Sequence, residues 1–256
     1  MSLVLAVALL AGGPGGYATV NGVRTYYEVH GSGPVLLLLH GGTGTVEDLR
    51  PLLEAARGRY QVIAPERMGH GRTAASDRHF SYAGMAIDTL ELLRQLHVTR
   101  ARVVGWSDGG VVGLELALRQ PELVEALVVI GANARPDGVV TSPEALRAAG
   151  PQRWRDWMKA NQARLAEPGR YAALQERMRS MWENEPTYSA ADLGRIRCPT
   201  LVVVGDHDLV PVSHAAEMQR QIPASRLLVV PAASHFVALE QPALVNGVIL
   251  SFLAER

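Results

Sequence analysis

The chain is short of cysteine, of aromatic side chains and of net charge, and each shortage closes off a class of protein. A single cysteine, Cys198, means that no internal disulfide can form, so a small disulfide-stapled scaffold is excluded. Cys198 stands before Pro199 at the head of an apolar run and reads as a small buried hydrophobe. Aromatic residues make up only 5%, so their clustering, where it occurs, carries information. Acidic and basic residues balance at 25 each and the pI is near 7.1, which argues against a nucleic-acid or anionic-membrane surface. No run is long enough to span a bilayer. The nearest, residues 2–11, is followed by Gly12-Gly13-Pro14-Gly15-Gly16 and has no Lys or Arg before it. A clipped export signal, an extra packed strand and an added leader all fit it. Cytoplasmic residence is the expectation, with export if residues 1–16 are a signal remnant. Internal repeats and low-complexity linkers are absent too.

What is present is apolar mass: 48% of 256 residues, ample for one large core. Residues 19–29, broken at Asn21-Gly22, read as a β-hairpin. A continuous apolar run at 35–39 reads as a strand buried on both faces, and 61–64, 101–105, 127–130, 201–204 and 226–230 read as further strands. Helical spacing occupies 46–56, 82–96, 108–119, 213–221 and 242–254 between them. Strands alternating with helices predict an α/β fold, a doubly wound and mostly parallel sheet with helices on both faces.

One interval interrupts the alternation. Residues 135–197 show no strand signal, yet hold three of the four tryptophans, Trp154, Trp157 and Trp182. Residues 153–167 and 172–183 read as helices, and the interval as a helical cap over the strand C-terminal edge, where open α/β sheets bind ligands. The division is therefore 1–16 as an apolar, glycine-rich extension, 17–134 and 198–256 as core, and 135–197 as cap. Most cap aromatics are expected to glue cap to core, with Trp154, Trp157 and Trp182 as candidate substrate contacts.

Gly105-Trp106-Ser107-Asp108-Gly109-Gly110 lies between a strand and a helix. Glycines two places either side of Ser107 permit a sharp turn that strains the serine backbone and lifts its hydroxyl above the sheet edge. A serine nucleophile needs a base, an orienting acid and oxyanion donors. Gly205-Asp206-His207-Asp208 follows a strand, and Asp208 is the candidate acid with Asp206 as the alternative. Of eight histidines, His235 sits between the last strand and the final helix. The order Ser107, Asp208, His235 is the one that accompanies a strand–Ser–helix turn, and all three follow strand C-termini. His40-Gly41-Gly42-Thr43-Gly44 is a glycine-rich turn whose N–H groups can approach a ligand. His40 reads as a holder of that turn, His207 as solvated, Glu66 and Arg67 as a structural pair or loop anchor. Trp106 reads as packing beneath the turn, with a substrate contact as the alternative.

These residues resemble the α/β-hydrolase superfamily from Tyr17 to the C-terminus. His40-Gly41-Gly42-Thr43-Gly44 is similar to its oxyanion loop and Gly69-His70-Gly71-Arg72 to its Gly-x-Gly loop. Gly105-Trp106-Ser107-Asp108-Gly109-Gly110 and Gly131-Ala132-Asn133-Ala134 look like the valacyclovir-hydrolase (biphenyl hydrolase-like) group and its bacterial relatives. The resemblance implies hydrolysis of a small carboxylic ester through an acyl-enzyme, with the backbone N–H groups of Gly42 and Asp108 as oxyanion donors. It also implies that Asp108 receives a substrate ammonium, which would make the ester that of an α-amino acid. Thr43 is a lesser candidate contact. Lactonase, thioesterase, aminopeptidase and carbon–carbon hydrolase chemistry use the same three residues, and a non-catalytic ligand receptor could keep them. No cofactor or metal is expected. The expected partner is a small-molecule ester, without nucleic acid or stable membrane insertion, for a monomer or homodimer.

Overall fold

A computed structural model describes residues 15–140, Arg147 and residues 150–255. The run 2–11 lies outside them. Eight strands form one sheet: β1 (Gly15–Val20), β2 (Val23–His30), β3 (Val35–Leu39), β4 (Gln61–Pro65), β5 (Ala101–Trp106), β6 (Val124–Ile130), β7 (Thr200–Gly205) and β8 (Ser225–Val230). The spatial order is β1-β2-β4-β3-β5-β6-β7-β8, with β1 and β2 antiparallel and β4 through β8 parallel. The hairpin turns on Asn21 and Gly22, φ 47° and 82°, the left-handed pair that such a two-residue turn requires. Its first strand begins at Gly15, two residues inside the stretch assigned to the extension.

The central strands are the buried ones, whereas β8 at the sheet edge is mostly half-buried or exposed. All six residues of β5 and of β7 are buried, because helices cover both faces. One face packs α2 (Tyr82–Gln95), α3 (Asp108–Arg119) and α7 (Val212–Gln221) around Val103, Leu127 and Val202. The other packs α1 (Arg50–Ala56) and α9 (Pro242–Ala254) around Leu36, Val104 and Val203. Burying each such Leu or Val stabilises the fold by roughly 1.5–3 kcal/mol. Two differences from the sequence reading have local causes. The helix expected over 46–56 is a 3-10 turn (Val46–Leu49) followed by α1, since Pro51 has no N–H to continue the ladder. β6 starts three residues early, its head disguised by Glu125, which pairs with Arg102 at 3.2 Å.

Between β6 and β7 the chain forms α4 (Pro151–Arg164), α5 (Tyr171–Trp182) and the short α6 (Ala190–Leu193). These helices join the sheet unit through apolar side chains, with Leu174, Met178, Met181 and Leu193 in the core cluster, and through polar contacts. Trp157 reaches Asp48, Arg153 pairs with Glu240, Ala166 N–H bonds to Gly71 O, and Trp182 reaches Asp108. Among the described residues no helix is long and apolar enough to cross a membrane.

Candidate active site

The site begins where β5 ends. Ser107 has φ 53° and ψ −122°, a backbone that non-glycine residues hold only under constraint, at about 1–3 kcal/mol. The constraint is visible on every side. Its N–H bonds to Ile130 O at 2.7 Å and its carbonyl accepts Gly110 N–H at 2.8 Å. A Cβ on Gly105 would meet Gly109 O at 2.1 Å, and one on Gly109 would meet Leu39 O at 2.0 Å. Strand, turn and helix pass so closely that only glycine fits at both places.

Ser107 Oγ lies 3.0 Å from His235 Nε2, and His235 Nδ1 lies 2.7 Å from Asp208 Oδ1. The Asp208 carboxylate is held by Val210 N–H at 3.1 Å. His235 comes from the loop between β8 and α8 (Val237–Glu240), and its carbonyl takes the Trp106 indole N–H at 2.9 Å. Two glycines let these loops converge. A Cβ on Gly205 would strike Ala233 O at 2.2 Å, and one on Gly131, φ 57°, would stand 3.0 Å from His235 Nδ1. Asp206 points elsewhere: it accepts the Ala232 and Ala233 N–H groups and pairs with exposed His207. The His207 hydrogen bond, then the backbone N–H groups, pull its carboxyl down to about 2. Asn133 turns onto its own loop, donating to Arg135 O.

The turn at 40–44 lies against Ser107. A Cβ on Gly41 would be 3.4 Å from Ser107 Cβ, and one on Gly42 would meet Asp108 Oδ2 at 2.5 Å. Gly42 N–H has no backbone acceptor among the described residues, and Asp108 N–H heads α3, where no helical carbonyl can accept it. Arg67 holds the turn from behind, its guanidinium on the carbonyls of His40 and Gly41 at 2.5 and 2.9 Å. Glu66 does not pair with Arg67; it binds Arg72 and accepts the Val46 N–H. His40 donates from Nδ1 to Gly41 O and accepts Arg67 N–H at Nε2. Burial, then the Arg67 charge, keeps its pKa well below that of free histidine. Thr43 is buried with φ 55°.

Asp108 is 5% exposed, and its oxygens accept Tyr82 Oη–H at 2.9 Å and Trp182 Nε1–H at 3.0 Å. Burial raises its pKa, against the opposing Arg67 charge. Trp106 is 3% exposed, packed under Trp157, His235 and Phe236. Trp154 stands edge to face with Phe236 and 6.4 Å from the His235 ring. Trp182 is 39% exposed. Tyr82 and Asp48 were missed in the sequence, since each reads there as an ordinary helix residue and gains its partner only through folding. Among the described residues no three His, Cys, Asp or Glu are grouped to hold a metal. A cavity of about 280 Å³ lies apart from Ser107, walled by Phe80, Leu165, Leu174, Arg170 and Arg177.

Residues 36–248 match the model of the alpha/beta hydrolase family. A protein of Azorhizobium caulinodans named "Putative carbamate hydrolase RutD" is 31% identical, over 93% of this chain and 98% of its own. Human "Serine hydrolase BPHL" is 28% identical, over 84% of this chain and 78% of its own. The crystal structure of a hydrolase from Pseudomonas aeruginosa superposes with TM-score 0.78 at 27% identity, over 94% of this chain and 98% of that one. With an 8-stranded, mostly parallel sheet and these likenesses, the chain is a hydrolase of the alpha/beta hydrolase family, similar to the biphenyl hydrolase-like and RutD proteins.

Proposed function

We propose that the protein cleaves a small carboxylic ester through an acyl-enzyme on Ser107, with His235 as base and Asp208 as orienting acid. The observation that carries this is the continuous Ser107–His235–Asp208 hydrogen-bond chain, 3.0 and 2.7 Å, ending on a strained serine. Ser107 Oγ attacks the carbonyl carbon as His235 Nε2 takes its proton. Asp208 fixes the imidazole and stabilises the imidazolium. The carbonyl oxygen, now negative, is received by the N–H groups of Gly42 and Asp108. His235 then protonates the leaving alcohol, and water releases the acid by the same steps in reverse. Helices α4 to α6 serve as the cap that shapes the acyl and alcohol pockets.

A fluorophosphonate probe tests this. It labels the native protein and not Ser107→Ala; folded native protein that resists labelling is a receptor instead. Ser107→Ala and His235→Ala each remove on the order of 10³–10⁶-fold of kcat, because the groups act as one unit. Activity within tenfold of wild type sinks the assignment.

The likeness to RutD favours a second reading, a carbamate in place of the ester, with the same attack at the carbamoyl carbon. The α-amino-acid ester is a narrower version of the first. A substrate ammonium at Asp108 would share the carboxylate with the Tyr82 hydroxyl and the Trp182 indole, which already donate to it. Two esters of equal size, one with an α-ammonium and one with a methyl there, separate the cases. A desolvated charge pair gives the amino ester about a 10–100-fold advantage in kcat/KM, lost in Asp108→Asn. Equal rates leave the plain ester or the carbamate.

A further inference from the structure

Asp48 belongs to none of the groups above, yet it is a carboxylate with 5% exposure lying between the oxyanion turn and the inserted helices. It sits in the 3-10 turn that follows residues 41–45. On one side Oδ2 accepts the Thr45 N–H at 2.7 Å, and a Cβ on Gly44 would stand 2.4 Å from that oxygen, so the carboxylate lies directly against the turn. On the other side Oδ1 accepts the Trp157 indole N–H of α4 at 2.7 Å. The Asn161 amide N of the same helix is 3.4 Å from both oxygens, and its Oδ1 accepts from Thr45 Oγ1 and Arg164. Every contact on Asp48 is a donor, and only an ionised carboxylate can accept them all.

We propose that Asp48 is a positioning residue: its carboxylate clamps helix α4 to the turn at 41–45 and so fixes the direction of the Gly42 N–H. This rests on the serine-hydrolase reading, in which that N–H receives the oxyanion. An uncharged side chain of the same shape must turn a proton toward either Thr45 N–H or Trp157 N–H. One of the two bonds is then lost, and the turn and the helix part company at that point. Burial dominates the ionisation of Asp48 and pushes it up to about 6, opposed by the Thr45, Trp157 and Asn161 bonds and by the Arg164 charge. Arg67 faces it from the loop after β4. Of the other charges on its packing elements, Arg50 pairs with Glu28 and Glu47, Glu54 with Arg57, Glu66 with Arg72 and Glu240 with Arg153, while Arg155, Asp156 and Lys159 of α4 are exposed.

Hydrolysis of 4-nitrophenyl butyrate between pH 5 and 8 tests the clamp in wild type, Asp48→Asn and Trp157→Phe. Misdirecting one oxyanion donor gives Asp48→Asn a kcat about 10–100-fold lower with KM changed less than about threefold. The wild-type to Asp48→Asn ratio of kcat falls toward one as pH drops through about 6, because protonation costs wild type what the substitution has already removed. Trp157→Phe keeps a ring and loses the N–H, so its kcat falls by a smaller factor and its acid limb moves to higher pH. A folded Asp48→Asn with kcat within twofold of wild type, or with a pH-independent ratio, overturns the proposal. Should Asp48→Asn fail to fold, Trp157→Phe alone decides: an unchanged kcat and acid limb overturn the clamp, a fall in kcat with a displaced limb supports it. Wild-type activity that survives Ser107→Ala instead removes the hydrolase reading on which the clamp depends.

Discussion

Ser107 and Asp48 are both held in conditions that stability alone would not select. Ser107 has the backbone of a glycine, φ 53° and ψ −122°. Ser107→Gly is therefore expected to raise stability by about 1 kcal/mol, or roughly 2–4 °C in Tm, while abolishing hydrolysis. Thermal melts check it, and an unchanged or lower Tm contradicts the strain. Asp48 carries a charge that burial disfavours, its pKa raised from 3.8 to about 6. Between those two values the folded state binds more protons than the unfolded one, so its contribution to stability falls as pH rises and stays low above about 6. That rise in pKa corresponds to roughly 3 kcal/mol. Denaturant unfolding at pH 4 and pH 7 should show wild type losing stability across this window relative to Asp48→Asn, by up to that amount. Parallel curves would mean that Asp48 does not titrate there. The serine was legible because Gly-x-Ser-x-Gly between a strand and a helix constrains one residue locally. Asp48 was not, because its donors Trp157 and Asn161 stand more than 100 residues away.

At the scale of elements, the site is a set of strand C-termini drawn together by close backbone approach. β5 delivers Ser107, the loop after β7 delivers Asp208, and the loop after β8 delivers His235. Gly109 is the tightest of the described glycines, with a hypothetical Cβ at 2.0 Å from the Leu39 carbonyl. That neighbour is strand backbone and cannot yield as a side chain would. Gly109→Ala is expected to destabilise by at least about 3 kcal/mol, read by urea unfolding or by loss of soluble protein. A loss below about 1 kcal/mol would show that β3 and α3 can separate. The central strands were legible because they are apolar runs buried on both faces; strand ends were not, where a paired charge such as Glu125 intervened.

Across the whole molecule, burial is uneven. β5 is buried at every residue, whereas along α4 Asn161 is the one buried side chain among those described. The two apolar clusters flank the sheet, and α4 adds to them only partly buried Trp154, Trp157 and Met158. Amide hydrogen exchange should follow this gradient, with α4 exchanging at least about 100-fold faster than β5 and β7. Equal protection would mean that helix and sheet open as one unit.

Fold class, the serine turn and the order Ser107, Asp208, His235 could be read from the chain, because each depends on residues close in sequence or on which strand end a residue follows. Tertiary structure decided what those residues touch. It set Asp208 rather than Asp206 on His235, turned Arg67 onto the carbonyls of the 40–44 turn rather than onto Glu66, covered Asp108 with Tyr82 and Trp182, and placed Asp48 between that turn and α4. Hydrogen bonds between distant residues depend on where strand ends and inserted helices come to rest, and periodicity in the sequence carries no information about that.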